Sequence, residues 1–155
     1  MDPIRELLAK MAQRKTPKDP ETGLPKRYVA GLTKEEKATQ VKEIEKTREI
    51  YKKTGKVVER QKVGDSKRSP HAAKFEKRYG YPITSLSKVK AEFPGTKIDT
   101  ILAKGRAAYA SGSRPGQTPE SWAYARLASV LTGGKALAVD KDLVSDADLK
   151  KILGK

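Results

Sequence analysis

The chain has 155 residues, with 34 lysines and arginines against 19 acidic residues, for a formal net charge of +15. Its length suits one compact domain with ordered arms, and 36% apolar residues permit a modest core. The absence of cysteine excludes a disulfide framework, a thiolate zinc site and a thiol nucleophile. No apolar run reaches the ~18–20 residues that span a bilayer. Asp2 and Glu6 stand where a signal peptide would be basic, so the expected setting is intracellular or inside a particle.

The charge is uneven. Residues 65–114 hold 11 basic against 4 acidic residues, whereas residues 115–155 hold 6 against 5. Such a concentration suggests a footprint for an anionic partner.

Asp2 and Pro3 open a first helix as N-cap and first helical residue. Ile4, Leu7, Leu8 and Met11 follow at i, i+3, i+4 and i+7, which gives one apolar face over residues 1–15. That face is short enough to favour docking onto the chain's own domain or a partner over a membrane surface. Residues 16–26, with three prolines and a glycine, read as an extended linker. Thr33 and Glu36 have capping-box spacing and begin a helix running to about Lys53, with Gly55 as its stop. Its thin apolar stripe comprises Ala38, Val41, Ile44, Ile50 and Tyr51. Residues 56–64 suit a short strand or an extended connector. Ser69 and Pro70 then start a helix through Tyr79, stopped by Gly80. Lys67, Arg68, Lys74, Lys77 and Arg78 cluster there among Phe75, Tyr79 and Tyr81. These rings could stack on bases or form a buried face.

From residue 84 the pattern becomes a helical hairpin. Leu86, Val89 and Phe93 face inward on the first helix. Pro94 and Gly95 break it, and Thr96 caps a second over about 97–110, which buries Ile98, Ile101, Leu102 and Tyr109. Its outline is that of a helix-turn-helix, with Lys97, Thr100 and Lys104 turned outward. Thr118, Pro119 and Glu120 start the next helix, whose stripe includes Trp122 and Leu127 and which Gly133 and Gly134 end. Arg114 sits in the loop before it, where it can hold an anion or tie the loop to its own fold. Residues 143–155 form a tail with a short terminal helix. The expected architecture is mainly α: a basic helical domain over 27–142, preceded by an arm and a linker.

No glycine-rich phosphate loop, dinucleotide fingerprint or activated nucleophile appears, and His71 is the single histidine. The reading is a protein without catalytic residues, metal, cofactor or small-molecule substrate.

Three stretches together resemble a known group: PKRYVAGLTKEEKATQ (25–40), KRSPHAAKFEKRYG (67–80) and KGRAAYASGSRPGQTPESWAYARLASVLTGGKA (104–136). They are similar to an uncharacterised family of small basic proteins or domains of large double-stranded DNA viruses of algae and protists and some tailed bacteriophages. The resemblance covers about residues 25–142. It implies a viral source and a place in or near the particle, and it carries over no catalytic residues. Among its recurrent positions, Gly105, Tyr109 and Trp122 suit packing, whereas Arg114 and Arg126 are the better functional candidates.

The expectation is therefore a virion-associated structural protein, located in the particle and, during assembly, in the host cytoplasm or nucleus. Its basic surface (Lys67, Arg68, Lys74, Lys77, Arg78, Lys97, Lys104, Arg106, Arg114 and Arg126) would bind packaged double-stranded DNA or acidic capsid subunits. Ile4, Leu7, Leu8 and Met11 would dock on a neighbouring virion protein. The alternative is a sequence-specific DNA-binding regulator using the 84–110 hairpin.

Overall fold

The computed structural model describes residues 3–12, 17–62 and 70–154, and over these the protein is mainly helical. The proposed caps Asp2 and Ser69 lie outside the described residues. Eight α-helices occur in chain order: α1 (Pro3–Ala12), α2 (Lys34–Thr54), α3 (Pro70–Tyr79), α4 (Leu86–Glu92), α5 (Ile98–Ser111), α6 (Pro119–Leu131), α7 (Lys135–Asp140) and α8 (Asp146–Leu153). Two single 3-10 turns, Lys26–Tyr28 and Lys141–Leu143, complete the set.

The local signals act as their chemistry requires. The Thr33 side chain accepts the Glu36 N–H at 3.2 Å, and Glu36 accepts the Thr33 N–H at 2.9 Å. Both orphan donors at the start of α2 are thereby satisfied. At the other end Gly55 takes φ 71°, a left-handed cap that lacks the Cβ penalty. Thr118 caps α6 as its sequence suggests, but its reciprocal partner is Ser121, with bonds of 3.0 and 2.8 Å.

The chain forms two compact units. One comprises residues 1–14, 68–103 and 123–155; the other comprises 15–67 and 104–122. Contacts therefore fall differently from the division into arm, linker, domain and tail. The arm and the tail belong to the first unit, and the linker belongs to the second.

Among the described residues of the first unit, 18 buried apolar residues form one core, including Phe75, Val89, Phe93, Ile101, Leu127, Leu131, Leu137, Leu149 and Ile152. Leu8 of α1 enters this core and Met11 packs against it. Arg5 fixes the helix further. Its guanidinium donates to the carbonyls of Lys141 (2.6 Å) and Val144 (2.8 Å) and to the Asp146 carboxylate (2.8 Å). Two of the four residues assigned to partner docking, Leu8 and Met11, thus serve the chain's own core, while Ile4 and Leu7 stay exposed. Just before the tail, residues 135–140 form a helix, α7, that the sequence did not reveal. Its buried Leu137 and Ala138 span too few residues to show a period.

The second unit has a much smaller apolar cluster, Leu24, Val29 and Ile44. Polar groups do much of the remaining work. Of the expected apolar stripe on α2, Ile44 is buried and Val41 packs against the cluster, but Ala38 and Tyr51 are exposed, and Gln40 and Thr47 complete the buried face. Gln40 donates to the Tyr28 carbonyl at 3.1 Å, and the Thr47 hydroxyl is 3.1 Å from the Ala110 carbonyl. Fully satisfied networks of this kind can stabilise a small core.

The proline-rich stretch is a closed turn rather than an extended linker. Asp19 N–H donates to the Leu24 carbonyl at 2.7 Å, and Lys26 N–H to that of Pro17 at 3.0 Å. The Asp19 carboxylate accepts from the Thr22 N–H and hydroxyl and from Lys37. These side-chain bonds organise the turn locally. Residues 56–62 are an extended connector without strand pairing.

Candidate polyanion-binding surface

The basic residues selected from sequence divide into two chemical groups. The first serves the fold. Arg126 holds Asp140 in a two-pronged pair, both bonds 2.8 Å, and the Asp140 side chain is fully buried. Arg106 forms a similar fork with Glu120 at 2.5 and 3.1 Å. This pairing holds the Glu120 carboxyl below its ordinary pKa of 4.5. Arg78 donates to the Ile152 carbonyl at the end of α8, where a cation also complements the helix dipole. Forked guanidinium pairs and carbonyl caps are what arginine geometry suits.

The second group faces solvent. Lys74 and Lys77 lie three residues apart on α3, which places them on adjoining parts of its surface. Both are exposed, as are Lys97, Lys104 and Arg114. Lys74, Lys77 and Lys97 belong to the first unit, and Lys104, Arg106 and Arg114 to the second. The central charge concentration is consequently not a feature of one unit. The first unit holds 16 basic against 9 acidic residues and the second 18 against 10. Lys67 and Arg68 lie outside the described residues.

The aromatics among these cations belong to packing. Phe75 is fully buried, with Tyr79 at 4.8 Å and Tyr81 at 5.4 Å between ring centroids; Tyr79 also meets Phe93 edge-on at 5.3 Å. The Tyr81 hydroxyl donates to Glu92 at 2.8 Å. Burial and this bond to a carboxylate push its pKa well above the ordinary 10.0. In the second unit the Tyr28 ring meets Trp122 edge-on at 6.5 Å, and Trp122 is only partly buried. The largest buried anchors are instead Tyr109, Phe75 and Phe93.

In the 84–110 hairpin, the outward positions Lys97, Thr100 and Lys104 are exposed as the period requires. The turn between the helices is not open, however. Lys97 N–H donates to the Leu143 carbonyl at 2.9 Å, Ser145 N–H donates to the Gly95 carbonyl at 2.9 Å, and the Thr96 hydroxyl bonds Asp148 at 2.7 Å. Residues 143–145 thus lie against the N-terminal end of α5.

Sequence reasoning passed over Arg60, which is 6% exposed. It donates to Thr47, to the Tyr109 carbonyl and to Ser113, and it lies over the Tyr109 ring. Burial draws its pKa down, and the nearby Tyr109 offsets part of this. The only signal in the sequence was an arginine within an extended, mixed segment, which carries no periodicity.

No group of three or more His, Asp or Glu side chains that could hold a metal ion occurs among the described residues. No described helix is long and apolar enough to cross a membrane. No curated protein and no solved structure matches the chain. Residues 25–150 match the family of unknown function DUF5824, and the chain belongs to that family.

Proposed function

We propose that the protein is a structural component of a viral particle, acting by binding rather than catalysis. Its lysine-bearing surface would hold a polyanion, either packaged DNA or acidic capsid subunits. The viral setting draws on the resemblance of its three sequence stretches. Polyanion binding draws on one structural observation: in the first unit most of the described acids are held by partners within the fold, while three exposed lysines are not. Asp140 is paired with Arg126, Asp146 with Arg5, Asp99 with Lys90 and Glu92 with Tyr81 and Lys151, while Asp148 accepts from Thr96. Lys74, Lys77 and Lys97 are exposed and carry no ion pair. The positive potential they create is not locally cancelled.

The sequence-reading regulator has weaker geometric support. A recognition helix contacts base edges with its N-terminal residues, and in α5 that end has residues 143–145 against it.

Mass spectrometry of purified particles should find the protein in stoichiometric copies after nuclease and salt washing; its absence would refute the structural role. The triple change Lys74→Gln, Lys77→Gln and Lys97→Gln should elute earlier from a heparin column with an unchanged unfolding midpoint. Unaltered retention would refute the assigned surface.

A further inference from the structure

We infer that the polyanion is the phosphodiester backbone of duplex DNA, bound through lysine charge without reading its sequence. The inference rests on the polyanion reading above and names its substrate class. It follows from where the two kinds of cation are placed.

The arginines are largely committed within their own units. Arg5, Arg78 and Arg126 bond carbonyls or carboxylates in the first, and Arg48, Arg60 and Arg106 do so in the second. Arg27 lies over the Tyr28 ring at 4.9 Å. Among the described arginines, only Arg114 is exposed with no bond or ring partner to its guanidinium. Lysines make up nearly all the unpaired charge: Lys74, Lys77 and Lys97 in the first unit, and Lys34, Lys42 and Lys46 in the second.

Arginine reads guanine edges and grips carboxylates through its planar fork, whereas lysine offers a mobile point charge. Protein interfaces concentrate arginine and aromatic anchors and are depleted in lysine, which disfavours an acidic protein surface. Single-stranded nucleic acid is held by stacking on aromatic rings. Tyr51 is the sole exposed aromatic among the described residues. Dispersed lysines without fork or stacking platform fit a regular array of phosphates, where each contact releases counterions.

The test uses the full chain and fluorescence anisotropy against several unrelated duplexes of equal length across a salt series. Affinities should agree within about threefold, less than the ~5–150-fold that one mismatched pair costs a sequence reader. Log affinity should fall linearly with log salt, and each of Lys74→Gln, Lys77→Gln and Lys97→Gln should reduce the slope by up to ~0.9. Arg114→Lys should bind as the parent does. A preferred sequence, tighter binding to a single strand of equal charge, or loss of binding in Arg114→Lys would overturn the inference. Binding to polyglutamate but not to duplex would overturn it while leaving the polyanion reading intact. Binding to neither would overturn both. Circular dichroism of each variant separates lost contacts from lost folding.

Discussion

The guanidinium of Arg60 lies 3.9 Å from the centroid of the Tyr109 ring, and the hydroxyl of that tyrosine accepts the Arg60 backbone N–H at 2.8 Å. A third link runs from the guanidinium to the Tyr109 carbonyl at 2.6 Å. One residue pair thereby ties the extended segment to α5 within a unit whose apolar cluster is small. Tyr109→Phe keeps the ring but strands a buried N–H, so it should cost about 1–3 kcal/mol. Urea unfolding checks this, and a midpoint equal to the parent's would show that the hydroxyl contributes nothing.

The Arg126–Asp140 fork behaves differently under substitution. Arg126→Ala removes both forked bonds to the buried Asp140 carboxylate and should destabilise by about 3–5 kcal/mol. Arg126→Lys keeps the charge and loses the fork, so it should fall between. If Arg126 instead belonged to the polyanion surface, Arg126→Ala would weaken DNA binding with stability preserved. Thermal unfolding and anisotropy on the same samples distinguish the two.

Gly95 has no room for a side chain. A Cβ there would collide with the Ser145 hydroxyl and lie 2.6 Å from its Cβ. Ser145 caps α8 by accepting the Asp148 N–H at 3.2 Å. Gly95→Ala should therefore both overpack the site and disturb the cap, at about 1–3 kcal/mol. Hydrogen exchange should show faster exchange at the start of α8, and unchanged protection there would count against the steric argument.

Alkaline pH should unfold the first unit. Tyr79 and Tyr81 have pKa values raised above 10.0, by burial foremost and then, for Tyr81, by its bond to Glu92. Below pH 10 both are neutral in either state and stability is unaffected. Above it, the unfolded chain ionises while the folded chain resists, so stability falls as pH rises. Tyr81→Phe should flatten the stability–pH curve above pH 10, although it loses the hydroxyl bond at neutral pH. A parent curve flat between pH 9 and 11 would refute the effect.

Several features were legible from residue order alone because they are local. The Thr33–Glu36 box, the Gly55 stop, the Pro70 and Pro119 starts and the inward faces of α4 and α5 each depend on groups within one or two turns. Net charge and the missing thiol chemistry are properties of composition. Two kinds of feature escaped. Short α7 has too few residues for periodicity, and α2 hides polar residues whose carbonyl partners lie up to 73 positions away.

The basic cluster marks the same boundary. The sequence determined that the chain is cationic and that its centre, residues 65–114, carries the largest net positive charge. Only tertiary structure decided which cations remain available, because a guanidinium is occupied by whatever carboxylate or carbonyl the fold brings within ~3 Å. Arg78, Arg106 and Arg126 met such partners, whereas Lys74, Lys77 and Lys97 met none.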